Sequence, residues 1–180
     1  MINEPKILLN STKANLIIRR FALQIIENHK DYQNTAIIGL QPRGILLAKS
    51  IHNELLKLGA DVLYGEVDHT FFRDDIGRGG FHIPKPSNVN FSTENKNIIV
   101  VDDVLFTGRS VRAAIDAIMS FGRPKCVELM VLVDRRFQRE LPIKPDYTGV
   151  TIDSRNTNDF VKVEWENDNQ VQVWLLEDKK

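Results

Sequence analysis

Two aspartates stand side by side in the stretch IIVVDDVLFTGRS, residues 98–110, directly after four β-branched aliphatics and just ahead of a Thr-Gly-Arg-Ser turn. Adjacent like charges repel, so such a pair is costly unless a cation or hydrogen-bond donors compensate it. Carboxylates are good acceptors for vicinal hydroxyls. The turn Thr107-Gly108-Arg109-Ser110 opens a helical pattern, where free backbone N–H groups and two hydroxyls form a cradle for a phosphate. The two halves together describe a sugar-phosphate site, with hydroxyls on Asp102 and Asp103 and the phosphate in the turn. Neither GxxxxGK(S/T) nor GxGxxG occurs, which excludes the Walker A and dinucleotide-binding loops.

Such a site needs a sheet whose strands end beside it. Apolar residues at helical spacing, Ala14, Ile18, Phe21, Ala22, Ile25 and Ile26, predict a first helix capped by Ser11 or Thr12. TAIIGL (35–40) predicts a strand, QPRG (41–44) a break, and residues 45–59 an amphipathic helix stopped by Gly59. Further strands are expected over 60–68, 98–101 and 126–134, with a helix from Ser110 to Phe121 closed by Gly122 and Pro124. This alternation is α/β and calls for a mostly parallel sheet flanked by helices, with ligands beyond the carboxyl ends of its strands. VKVEW and VQVWLL alternate apolar and polar around residues 166–169, the pattern of a β-hairpin. Residues 72–96 are long and rich in Gly, Pro, Asn and Ser, as befits a functional loop or lid.

With 180 residues, 42% hydrophobic and 27% charged, the chain suits one globular domain. Twenty-four basic residues balance twenty-four acidic ones, so any nucleic-acid binding must come from a local patch. The single Cys126 lies in an apolar run and makes no internal disulfide, and the four histidines show no metal-ligand spacing with it. Trp165 and Trp174 fall on the expected hairpin, where packing is their natural role. No basic leader with an apolar core and no bilayer-length apolar run is seen, so a cytoplasmic protein without a membrane partner is expected.

The string VVDDVLFTGRS resembles the phosphoribosyl-diphosphate (PRPP) signature of type I phosphoribosyltransferases. GLQPRGILLA, FFRDD, VRAAIDAI, and GRP with VLVDR and RELPIKPDYTG are similar to the PyrR family, regulators of pyrimidine operon attenuation that double as uracil phosphoribosyltransferases. The resemblance implies a type I phosphoribosyltransferase fold over 1–180, with a core of about 1–134 and a C-terminal hood of about 135–180. It implies that uracil displaces pyrophosphate from PRPP to give UMP, with Mg²⁺ carried by PRPP rather than held at a dedicated metal site. By that resemblance Asp102 and Asp103 hold the ribose hydroxyls, and Phe106, Thr107, Gly108, Arg109 and Ser110 hold the 5′-phosphate. Pro42, Arg43 and Gly44 form the pyrophosphate loop, closure of the long loop brings Arg73 onto pyrophosphate, and Val133, Asp134 and Arg135 line the uracil pocket.

Arg19, Arg20, Arg136, Arg139 and Lys144 are the candidates for a basic patch that takes pyrimidine-operon leader mRNA, with UMP or UTP as effector. Relatives suggest a homo-oligomer. Two other readings stay open: an RNA-binding regulator with little catalysis, and a transferase on the same fold for hypoxanthine or orotate.

Overall fold

The computed structural model describes residues 5–74, 85–153, 159–167 and 170–176. In chain order the elements are β1 (Lys6–Leu9), α1 (Ser11–Asn28), β2 (Thr35–Leu40), α2 (Gly44–Lys57), β3 (Leu63–Val67), β4 (Asn97–Leu105), α3 (Arg109–Met119), β5 (Cys126–Arg135), β6 (Tyr147–Ile152), β7 (Phe160–Asn167) and β8 (Gln170–Leu176). Strands β3-β2-β4-β5-β6 form one parallel sheet in that spatial order, and β1-β8-β7 form a small antiparallel sheet. The chain is therefore α/β, as its alternating pattern requires.

Side-chain alternation along the buried strands decides the layers. Ile37 on β2, with Ile99 and Val101 on β4, joins the core shared with α1, α2 and the small sheet. Their neighbours Ala36, Ile38, Ile98 and Val100 face the opposite core, closed by Val111, Ala114 and Ile118 of α3. Every residue of β2 is buried, which is why TAIIGL reads as a continuous apolar run rather than an alternating one. Strand order reverses between β2 and β4, since β3 lies on one side of β2 and β4 on the other. A crevice opens past the carboxyl ends of these two strands.

Several boundaries differ from the sequence-based expectation. The cap of α1 is Asn10, whose Oδ1 accepts from the Lys13 amide at 3.0 Å, so Ser11 and Thr12 already lie in the helix. β4 does not stop at Val101 but runs through both aspartates to Leu105, because its ladder with β5 continues to the Leu105 and Asp134 pair. β6 extends the main sheet, while β1, which shows no clear strand signature, pairs with β8 of the hairpin. The segment after Asp134 thus supplies a core strand as well as the hairpin, and β1 joins the hairpin's sheet. Of the long loop, residues 75–84 lie outside the described residues.

Candidate active site

The acid pair sits near the end of β4 with its geometry fixed by its own backbone. Asp102 Oδ1 accepts from the Asp103 amide at 2.9 Å, and Asp103 Oδ1 accepts from the Val104 amide at 2.8 Å. Burial pushes both carboxyls above their ordinary 3.8, Asp102 well above it; the adjacent Asp103 charge adds to that rise, and the Arg43 cation opposes it at both residues. The pair is primed for donors that a bound ligand supplies.

Arg43 reaches this region because α2 starts hard against β4. A Cβ on Gly44 would stand 2.3 Å from the Val101 carbonyl oxygen and 3.0 Å from Asp102 Cα, so glycine alone permits the approach. Ahead of it, the Gln41 amide continues the ladder to the Val67 carbonyl at 2.9 Å, and Gln41 Nε2 donates to the Pro86 carbonyl at 3.0 Å. Because that carbonyl demands a donor, the amide oxygen is the end left over, and Gln41 Oε1 is buried without a protein partner.

On the other side of the pair, the chain turns through Gly108 at φ +92°, a left-handed conformation suited to glycine, and enters α3. Gly108 caps the helix by its backbone, so Ser110 lies inside the first turn rather than at its cap. Thr107 Oγ1 takes the Arg109 amide at 3.4 Å. Arg73 donates from Nη1 to Ser110 Oγ at 2.9 Å, which places that arginine on the phosphate turn. Behind the turn, the Glu140 and Leu141 amides donate to the Thr107 carbonyl at 3.0 and 3.2 Å. Arg139 donates to the Phe106 carbonyl and pairs with Asp134.

These pieces share one cleft of about 580 Å³, lined by Gln41, Pro42, Arg43, Arg73, Asp102, Asp103, Phe106 and Ser110 together with Asp68, His69, Thr70, Lys85, Arg135, Asp159, Phe160 and Val161. The hood residues Asp159 to Val161 were not legible as site residues, since only the docking of β7 onto the crevice brings them in. Asp68 and Lys85 had a weak signal, one just ahead of the long loop and the other within it. Asp68 accepts from the Thr70 amide at 2.7 Å and the Lys85 amide at 2.7 Å, so one carboxylate holds two points of the chain fifteen residues apart on either side of the loop's first half.

Of the residues expected in a base pocket, Arg135 lines the cleft, its guanidinium 4.2 Å from the centroid of the Phe106 ring and bonded to Gln138 Oε1 at 3.2 Å. Burial lowers its pKa while the charge of Asp159 works against that shift. Val133 and Asp134 do not line the cleft: Val133 is fully buried in the core, and Asp134 pairs with Arg139. A larger cavity of about 790 Å³ lies between α1 and α2 and contains none of these residues.

The five cations expected to form one basic patch are divided. Arg20 donates to the Thr148 carbonyl at 2.7 Å and Arg136 pairs with Asp153 at 2.8 Å, so both lie along the edge strand β6, and Lys144 is exposed in the connection leading to it. Arg19 lines the cavity between α1 and α2 instead, and Arg139 is turned inward to the phosphate turn.

No cluster of three or more His, Cys, Asp or Glu with metal-binding geometry occurs among the described residues. The half-buried Asp102, the buried Asp103 and the orphan acceptor Gln41 Oε1 do fit a hydrated Mg²⁺ that arrives on substrate phosphates, since that ion keeps several waters and needs few protein ligands.

A doubly wound parallel sheet with an acid pair, a glycine turn and a hooded cleft at the switch point defines a phosphoribosyltransferase. The phosphoribosyl transferase domain family matches residues 6–168. The chain is 43% identical over 164 residues to bifunctional protein PyrR of Endomicrobium trichonymphae, covering 88% of this chain and 90% of that one. It is 46% identical over 154 residues to its namesake in Acetivibrio thermocellus, covering 84% and 83%. Among solved structures, hypoxanthine phosphoribosyl transferase of Trypanosoma cruzi superposes with a TM-score of 0.73 at 17% identity, covering 96% of this chain and 91% of that one, which shows the shared fold. The chain belongs to the phosphoribosyltransferase family, in the branch whose curated members are named bifunctional protein PyrR.

Proposed function

We propose that the protein transfers the phosphoribosyl group of PRPP to uracil, releasing pyrophosphate and forming UMP. The observation that carries this reading is the placement of Asp102 and Asp103 between the Arg43 loop and the Ser110 turn in one cleft. The ribose hydroxyls donate to the outer oxygens of the two aspartates, the turn at 106–110 takes the 5′-phosphate, and Arg43 with the amides at 42–44 takes pyrophosphate. As the glycosidic bond loosens, positive charge grows on the ribose and negative charge on the leaving group; the acid pair faces the first and Arg43 the second. Mg²⁺ on the substrate oxygens supplies further charge neutralisation. Arg135, stacked on Phe106, and Asp159 offer complementary charges to the polar edge of the base.

Membership in the PyrR branch supports a second role, UMP- or UTP-sensitive binding of pyrimidine-operon leader mRNA and attenuation of transcription. Arg20, Arg136 and Lys144 along β6 are the residues for it, with Arg19 as a separate contribution. A homo-oligomer in the cytoplasm completes this reading, in keeping with the lack, among the described residues, of any helix long and apolar enough to cross a membrane.

Turnover with PRPP and Mg²⁺ across uracil, hypoxanthine and orotate tests the first role: uracil is the base consumed, and no turnover of uracil overturns it. Gel shift against leader RNA with and without UMP tests the second, and binding indifferent to UMP across a range of salt rejects it.

A further inference from the structure

A phosphate turn works only if its carbonyl oxygens point away from the anion. Peptide units are planar, with C=O and N–H directed oppositely, so whatever pulls a carbonyl backward turns the following N–H forward. At residues 106–108 this pull has a visible source. The Phe106 carbonyl accepts from Arg139, and the Thr107 carbonyl accepts from the amides of Glu140 at 3.0 Å and Leu141 at 3.2 Å. Both carbonyls are thus held from behind by residues 139–141, which leaves the Thr107 and Gly108 N–H groups directed to the cleft side.

Arg139 is itself fixed. Its guanidinium pairs with Asp134 at the end of β5, and the two side chains are only 16% and 11% exposed. Asp134 neutralises the cation, so Arg139 does not compete with the turn for an anion, and it sets the angle at which the other guanidinium nitrogen meets Phe106. Arg109 closes the brace from the helix side through Nε to Glu140 at 2.6 Å. Ile143 fills the remaining gap, 3.2 Å from where a Cβ on Gly108 would stand.

We propose that Arg139 is a positioning residue for phosphate recognition: through the Phe106 carbonyl it orients and polarises the amides that grip the 5′-phosphate. Arg139 itself is not among the residues that line the cleft. The inference rests on the reading of 106–110 as the 5′-phosphate site, and its test separates the two.

Calorimetric titration of wild type, Arg139→Met and Arg139→Lys with UMP and with uridine, which lacks the phosphate, reads the effect. UMP affinity is expected to fall about ten- to a hundredfold in Arg139→Met, the size of a lost charge-assisted contact, while uridine affinity stays within about twofold. Arg139→Lys, with one nitrogen for two acceptors, falls between. Unchanged UMP affinity in Arg139→Met, or equal losses for UMP and uridine, overturns the proposal. Should the methionine variant fail to fold, the ratio of UMP to uridine affinity in Arg139→Lys decides, and a wild-type ratio there overturns it equally. A wild-type protein that binds UMP no better than uridine removes the phosphate site itself, a distinct result.

Discussion

The guanidinium of Arg73 donates to the hydroxyl of Ser110 at 2.9 Å, joining the root of the long loop to the first turn of α3. Two neighbouring contacts reinforce it: Arg109 pairs with Asp74 at 2.7 Å, and Arg112 donates to the Phe72 carbonyl at 2.6 Å. Arg73 was expected on pyrophosphate once the long loop closes; its place here beside Ser110 leads us to propose that it adds a cation at the 5′ end. Arg73→Met is expected to lower kcat/KM for PRPP on the order of a hundredfold, with Arg73→Lys retaining part of it. Steady-state kinetics within about threefold of wild type for Arg73→Met would discard this role.

The acid pair carries a sign-defined pH dependence. A carboxyl whose folded pKa is raised binds more protons folded than unfolded, so its contribution to stability is full below the ordinary value and is lost as pH rises through the folded one. Burial, and then the charge of Asp103, raise Asp102 in this way from 3.8. Asp102→Asn keeps the acceptor for the Asp103 amide, so it is expected to raise Tm at neutral pH, with the gap narrowing on acidification toward 3.8. PRPP turnover falls at the same time on the order of a hundredfold. A lower Tm than wild type at neutral pH contradicts the argument.

Asp68 titrates with the opposite sign. Burial pushes its carboxyl up, but hydrogen bonds from Thr70 and the Lys85 amide outweigh this and hold it below 3.8. Its contribution is present above the ordinary value and is lost as pH falls through the folded one. Asp68→Ala is expected to speed hydrogen exchange at the Thr70 and Lys85 amides about tenfold or more, because both lose a charged acceptor. Unaltered exchange at both amides would show that these two points are held by other contacts.

Gly44 tests the approach of α2 to the acid pair. A methyl group there meets the Val101 carbonyl oxygen at 2.3 Å, so helix or strand must shift. Gly44→Ala is expected to cost about 1–3 kcal/mol in urea unfolding, with weaker PRPP binding by calorimetry. Wild-type stability and binding in that variant would mean the contact relaxes freely.

The half of the cleft that holds the acid pair and the glycine turn was legible because it is local. Asp102 to Ser110 are contiguous, and the spacing of carboxylates, glycine and helix start sets their geometry within one strand and one turn. The Arg43 loop was legible for the same reason, as a break between a strand and a helix. The base pocket and the basic patch were not. Residues 133–135 read as a unit, yet Val133 is taken up by the core and Asp134 by Arg139, five residues further on, while Arg135 lines the cleft.

What the sequence determined by itself is the alternation of helices and strands from α1 to β5, the C-terminal hairpin, the acid pair and the glycine turn after it, all set by local periodicity and backbone chemistry. Tertiary structure alone decided that β1 pairs with β8 and that Gln41 meets Pro86 across forty-five residues. It also turned Arg139 from a surface cation into the brace behind Phe106. Those partners are chosen by which buried carbonyls and carboxylates lack a donor once the sheet has closed, a demand that exists only in the folded chain.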